Sequence, residues 1–141
     1  MSDYIISLVP ITMIEYLWDD ILPNMERVIQ KSHGEITCDS IKARLFKGEM
    51  LLICVLQGND MVAISVVEVR TFETGKRVLC IPVMGGDKLD EWLDQYLDVL
   101  EAIGKDYNCT EVRAIGARAG WAKKLKQFGW GEISIAVGKQ I

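Results

Sequence analysis

Gly85-Gly86 is the pair whose residue type and position most directly suggest chemistry. It follows an apolar run, Val78–Met84, suited to a buried strand. It precedes Leu89, Trp92, Leu93, Tyr96, Leu97, Leu100 and Ile103, spaced by threes and fours as one helix face. Glycine admits a sharp turn between the two, and a strand–glycine–helix junction offers free N–H groups and a positive helix end to a phosphate. The flanking acids oppose that use. Asp87, Asp90, Glu91 and Asp94 crowd the first turns of the helix, where carboxylates satisfy the helix dipole themselves by about 0.3–1 kcal/mol each. A diphosphate there would meet like charges, at roughly 3 kcal/mol per pair for about 5 Å and an effective dielectric near 20. Lys88 offsets one of them. These residues predict an acidic, well-capped surface helix in preference to a phosphate seat.

The remaining chemistry-bearing residues are few. Arg113, Arg118, Trp121, Lys123, Lys124 and Lys126 make the end of the chain basic. Residues 111–141 carry 6 Lys/Arg against 2 Asp/Glu, whereas residues 1–110 carry 10 against 18. Such asymmetry suits an acidic or polyanionic partner for the C-terminal part, while a net charge of −4 argues against wholesale nucleic-acid binding. His33 is the only histidine, and no Ser or Cys near it stands in a nucleophile context, so no triad is assigned. Cys38, Cys54, Cys80 and Cys109 are scattered without a C-x-x-C pair. That pattern fits reduced, packed thiols and neither a zinc nor a disulfide framework. No catalytic and no metal-ligating residue is assigned.

The elements that must position these residues follow from pattern. At 141 residues and 50% hydrophobic the chain should form one globular domain, 1–141. No apolar run has the length of a membrane span and no secretory leader is visible, so a cytoplasmic location is expected. Tyr4–Val9 reads as a strand stopped by Pro10. Thr12-Met13-Ile14-Glu15 has the form of a capping box ahead of a helix that Pro23 should kink or split. A second helix is predicted from Thr37 or Asp39 to Lys47, closed by Gly48. Met50–Gln57 and Met61–Phe72 form a hairpin through Gly58-Asn59-Asp60, and Thr74-Gly75 turns into the third strand of a meander. After the long helix come a strand at Glu111–Ile115, a glycine-bracketed loop, a helix Trp121–Phe128 capped by Gly129, and a last strand Trp130–Val137. The order β-α-α-β-β-β-α-β-α-β predicts a mixed α/β (α+β) chain around one sheet, with a right-handed β–α–β crossover.

That order, with the ending Arg118-Ala119-Gly120-Trp121-Ala122-Lys123-Lys124-Leu125-Lys126-Gln127-Phe128-Gly129-Trp130, resembles the GNAT (Gcn5-related N-acetyltransferase) fold. The Arg118–Trp121 start also resembles short GNAT-like proteins of tailed bacteriophages, some of which accompany virion-assembly genes. The resemblance implies an acetyl-CoA site at Met84, Gly85, Gly86 and Lys88, with Arg118, Lys123 and Lys124 meeting the cofactor's phosphates. The chain departs from the family's pattern in four places. The Q/R-x-x-G-x-G/A spacing is absent. Leu125 stands where the family often has a general-acid tyrosine, and Arg118 where it often has an asparagine. The strand Val78–Met84 bears no carboxylate base, leaving Glu68 and Glu73 as neighbours only.

The expectation is therefore a GNAT-fold protein, of phage type, with a degenerate acetyl-CoA site and no cofactor. It would act in a host cytoplasm or a virion by binding a virion or host protein through Arg113, Arg118, Trp121, Lys123, Lys124 and Lys126. The alternative is an acetyl-CoA-dependent N-acetyltransferase with an unconventional phosphate-binding turn. Nucleic acid and membrane are not expected partners.

Overall fold

A computed structural model of the chain describes residues 3–32, 34–115 and 119–141. Five strands form one sheet in sequence order: β1 (Tyr4–Leu8), β2 (Leu51–Gln57), β3 (Asp60–Thr71), β4 (Arg77–Gly86) and β5 (Glu111–Ala114). β1 to β4 are antiparallel neighbours, and β5 joins β4 in parallel. Four helices cover the sheet: α1 (Ile11–Ile29), α2 (Cys38–Phe46), α3 (Leu89–Asp106) and α4 (Ala119–Lys126).

The period of two along each strand divides the core between the faces. Leu52, Cys54, Ile64, Val66 and Val83 pack with Ile14, Ile21 and Met25 of α1 and Ile41 and Leu45 of α2. Ile53, Val55, Val67, Leu79 and Ile81 pack with Trp92, Tyr96, Leu100 and Ile103 of α3 and Leu125 of α4. The predicted helix face of α3 is thus the buried one. Between β3 and α3, the Tyr96 hydroxyl and Ser65 Oγ share a buried hydrogen bond of 2.6 Å. Cys54 and Cys80 are buried and Cys38 and Cys109 half-buried, all as free thiols. Burial raises the pKa of Cys38, Cys80 and Cys109, which disfavours their thiolates.

The local turn chemistry is as expected in β2–β3, where Gly58 has φ +62°, and in β3–β4, where Gly75 has φ +86°. Thr37 caps α2 by accepting from the Ser40 N–H at 3.1 Å, and Gly48 follows α2 in the left-handed region. α4 ends with Gly129 at φ +88° and the Trp130 N–H bonded back to the Leu125 carbonyl, a Schellman closure.

Four expectations are corrected. The Thr12–Glu15 capping box does not form, because Pro10 already sets an extended entry and α1 starts at Ile11 with no side-chain cap. Glu15 pairs instead with Lys42 of α2. Pro23 does not split α1, which continues to Ile29. Pro23 and Asp19, whose carbonyl loses its donor, are both exposed, so water can satisfy it. Gly85-Gly86 is the end of β4, not a turn, and the chain reverses at Asp87-Lys88. Residues 130–137 form no strand: after a half-buried Trp130, residues 131–141 are exposed and irregular. Alternating side chains make a strand only against an edge, and this segment lies on none. Among the described residues, no helix is long and apolar enough to cross a membrane.

Candidate functional site

β5 runs beside β4 only from Val78–Glu111 to Ile81–Ala114. From Pro82 to Gly86, β4 has no neighbour on that side among the described residues. Pro82 fits there because it has no N–H to offer. The Asp87 N–H bonds the Val62 carbonyl at 2.9 Å. In an antiparallel ladder that alternation turns the polar groups of Val83 and Gly85 toward β3 and those of Met84 and Gly86 toward the opening. A peptide-like ligand could therefore pair with β4 at Met84 and Gly86.

Both glycines have packing reasons of their own. A Cβ on Gly85 would overlap Val28 Cγ2 of α1, and one on Gly86 would overlap Ala63 and the Val62 carbonyl of β3. Gly86 also has φ +151°, which side chains rarely adopt. The pair lets α1 and β3 approach the strand end closely. With the Asp87 amide already bonded to Val62, the junction offers Gly86 as its open amide.

α3 begins differently from the expectation of a well-capped helix. Lys88 precedes it in the left-handed conformation (φ 61°, ψ 34°) and no side chain caps it. The first backbone bond is from the Glu91 N–H to the Lys88 carbonyl at 3.0 Å. The N–H groups of Leu89 and Asp90 have no acceptor among the described residues, which leaves them open to water or an anion. Three of the four acids expected to repel a phosphate have a partner. Asp87 lies 3.6 Å from Arg27 Nη1, Asp90 meets Lys124 Nζ, and Glu91 accepts from the Tyr4 hydroxyl at 2.9 Å. Trp92 Nε1 donates to the Asp87 carbonyl at 2.8 Å and fixes the turn.

A cleft of about 240 Å³ opens at this end of the sheet, lined by Arg27, Lys31, Gly85, Gly86, Trp92 and Trp121 among others. Arg27 on the last turn of α1 and Lys31 just beyond its end have no counterpart in the sequence reading. Their spacing of four is visible in the sequence, but the docking of the end of α1 on Gly85 through Val28 is not. A second cleft, about 160 Å³, lies between α3 and α4 beside Asp90, Asp94, Lys124 and Phe128.

The residues assigned from sequence are thus only partly gathered. Met84, Gly85 and Gly86 line the first cleft, and Trp121 of α4 lines it too. Lys88 points away, donating to Gln57 Oε1 of β2 at 2.8 Å. Lys124 is held by Asp90 and Lys123 is exposed. Arg113 belongs to β5, where it pairs with Glu111 and lies 5.3 Å over the Phe72 ring. Arg118, like His33, lies outside the described residues. Glu111 is held below the usual carboxylate pKa by hydrogen bonds from Arg113 and then Lys76.

Among the described residues that line the first cleft there is no His, Cys, Asp, Glu or Tyr. Glu68 is buried and accepts from Arg44 Nη2 at 2.6 Å and Arg70 Nη2 at 2.8 Å, so both oxygens are taken. Glu73 is exposed in the β3–β4 turn. Leu125 is buried in the core beneath α4. Among the described residues no cluster of His, Cys, Asp and Glu is placed to hold a metal ion.

No protein-family profile matches the chain, and no curated protein matches it in sequence. Solved structures do match in shape. An aminoglycoside acetyltransferase, HMB0005, from an uncultured soil metagenomic sample superposes with a TM-score of 0.73 at 13% identity, covering 100% of this chain and 99% of that one. Glucosamine-6-phosphate N-acetyltransferase from Arabidopsis thaliana gives 0.66 at 13%, covering 97% of each. A GNAT family acetyltransferase from Staphylococcus aureus gives 0.68 at 17%, covering 100% of each. At such identities the likeness concerns architecture: the mixed five-stranded sheet and its helices match the fold of the GNAT acetyltransferases.

Proposed function

We propose that this GNAT-fold chain works by binding another protein and not by transferring an acyl group. The observation that carries the reading is the Gly85–Gly86 junction: its glycines are filled by Val28 and Ala63, and the following amide is spent on Val62. A cofactor diphosphate would have Gly86 and the bare start of α3 in place of a loop of amides. Leu125 lies in the core and both oxygens of Glu68 are occupied, so neither of these two positions serves proton transfer. The exposed apolar residues of the C-terminal segment supply a surface for a protein partner. The phage-like Arg118–Trp121 segment makes a virion or host protein the first partner to test.

A second reading, an acetyl-CoA-dependent N-acetyltransferase, is favoured by one specific observation. The unpaired edge at Met84 and Gly86, the uncapped α3 and the cations Arg27 and Lys31 meet at one cleft. Thermal denaturation with acetyl-CoA separates the two. A ligand at one hundred times its Kd stabilises by about 2.7 kcal/mol, which for a chain of this length raises Tm by about 8–10 °C. The proposed reading expects no rise, and a dose-dependent rise replaces it with the second.

A further inference from the structure

The core beneath α1 and α2 ends on the sheet at Val66 of β3 and Val83 of β4. Further along the same face, toward the β3–β4 turn, stand Glu68, Arg70, Val78, Cys80, Glu111 and Arg113, because Val69, Leu79, Val112 and Ala114 alternate with them toward α3. Val78 and Cys80 are fully buried yet belong to neither helix-covered core. The charged side chains beside them supply the cover, with apolar stems lying flat and heads reaching water. Cys80 accordingly lies within reach of the charges of Glu68, Arg70 and Arg113. The charges are layered. Glu68 accepts from Arg44 of α2 and from Arg70, and Glu111 accepts from Lys76 and Arg113. The acids lie beneath and the cations above: the Glu68 side chain is 7% exposed against 38% for Arg44 and 47% for Arg70, and Glu111 is 26% exposed against 43% for Lys76. Glu49 pairs with Arg44 at the rim.

The outer layer of this raft still has donors to offer. Arg70 Nη1 and both Nη groups of Arg113 have no acceptor among the described residues. Arg113 also lies over the ring of Phe72, which is exposed. Arginine and aromatic side chains dominate the energetics of protein interfaces, and a guanidinium matches the geometry of a carboxylate. We propose that the raft of Arg44, Arg70, Lys76 and Arg113 is a docking surface for an acidic segment of a partner protein. Carboxylates of that segment pair with Arg70 and Arg113, and an apolar side chain of it covers Phe72. This deepens the protein-binding reading, on which it rests, by naming the surface and the chemistry of the partner. The chain as a whole is acidic, at a net charge of −4, so the attraction is local to the raft. A nucleic-acid strand would carry its charge past the raft onto the flanking Glu49 and Glu73, whereas an acidic peptide segment can stop short of them.

The test is fluorescence anisotropy of the full chain with a labelled short peptide of glutamates around one phenylalanine, at low ionic strength. A labelled oligothymidylate of the same charge is titrated in parallel. The peptide is expected to bind, to weaken as salt is added, and to lose at least about tenfold in Kd when Arg70→Gln and Arg113→Gln are combined. In that variant Glu68 keeps Arg44 and Glu111 keeps Lys76, so the circular dichroism should be unchanged. Lys76→Gln, in the exposed turn, keeps both arginines and should weaken the peptide by about threefold; it carries the test if the double variant melts early. A peptide that does not bind overturns the proposal, as does one bound equally well by the wild type and the arginine variant. A loss as large in Lys123→Gln overturns it by moving the contact to α4. Tighter binding of the oligothymidylate overturns it too, by replacing the class of partner. The acetyl-CoA titration is read separately. A chain that ignores both acetyl-CoA and the peptide loses this inference alone, whereas one that binds acetyl-CoA loses the protein-binding reading on which it rests.

Discussion

Gly85→Ala tests whether the glycine pair serves packing or a ligand. The new Cβ would lie well inside 3.0 Å of Val28 Cγ2, with Val28 Cβ at 3.4 Å and the Asn24 carbonyl at 3.9 Å. One methyl group is therefore the whole obstacle, and it belongs to a half-buried side chain on α1 that must rotate or push the helix away. Overpacking of this size costs about 1–3 kcal/mol. Val28→Ala alone should cost about 0.5–1.5 kcal/mol through lost burial. In the double variant the obstructing methyl is gone, so the two effects should fall short of their sum by about 1–2 kcal/mol, a coupling expected only of residues in contact. Gly86→Ala should cost more than Gly85→Ala, since it meets the Ala63 backbone and the Val62 carbonyl, which cannot step aside. Urea denaturation reads this directly: with a slope of about 1–3 kcal/mol per molar, a 2 kcal/mol loss moves the midpoint by about 1 M. A Gly85→Ala midpoint indistinguishable from wild type, or a loss that Val28→Ala does not relieve, would refute the reasoning.

Two other outcomes follow from buried and paired groups. Tyr96→Phe leaves Ser65 Oγ buried without its partner and should cost about 1–3 kcal/mol, part of which returns in Tyr96→Phe with Ser65→Ala, measured by the same denaturation. Glu111 is held below its ordinary pKa by Arg113 and Lys76. Its contribution to stability is therefore complete above the unfolded carboxylate value and disappears as pH falls through the lower folded value. Glu111→Gln should flatten that acid limb in thermal melts taken across the range, and an unchanged slope would show that the pairing does not contribute.

The fold was legible wherever the signal was local. The threes and fours of Leu89 to Ile103 mark the buried face of α3 because a helix makes its own hydrogen bonds. Gly58 and Gly75 mark turns because their backbone angles demand glycine. The segment 130–137 shows the limit: alternation records which side chains would share a face, while a strand also needs a neighbour, and that neighbour is not written in the segment. Gly85-Gly86 misled for a related reason. A glycine admits both a turn and a close approach, and the choice here is made by Val28 and Ala63, remote in sequence. The acids at the start of α3 counted as unpaired negative charge until Arg27 and Lys124 were seen to come from α1 and α4. The sequence thus shows half of that site's electrostatics, because Arg27 and Lys31 reach it only through the fold.

The seam between β4 and β5 has mechanical consequences. It is four residue pairs long and stands between the antiparallel meander and everything from Glu111 onward. Beyond the seam, among the described residues, Trp121, Leu125 and Trp130 pack on the α3-side core and Lys124 pairs with Asp90. A short parallel ladder is where thermal fluctuation tears first. The C-terminal quarter should swing away as a unit while β1 to β4 and their helices keep their shape, so that the molecule behaves as a rigid body with a hinged flap.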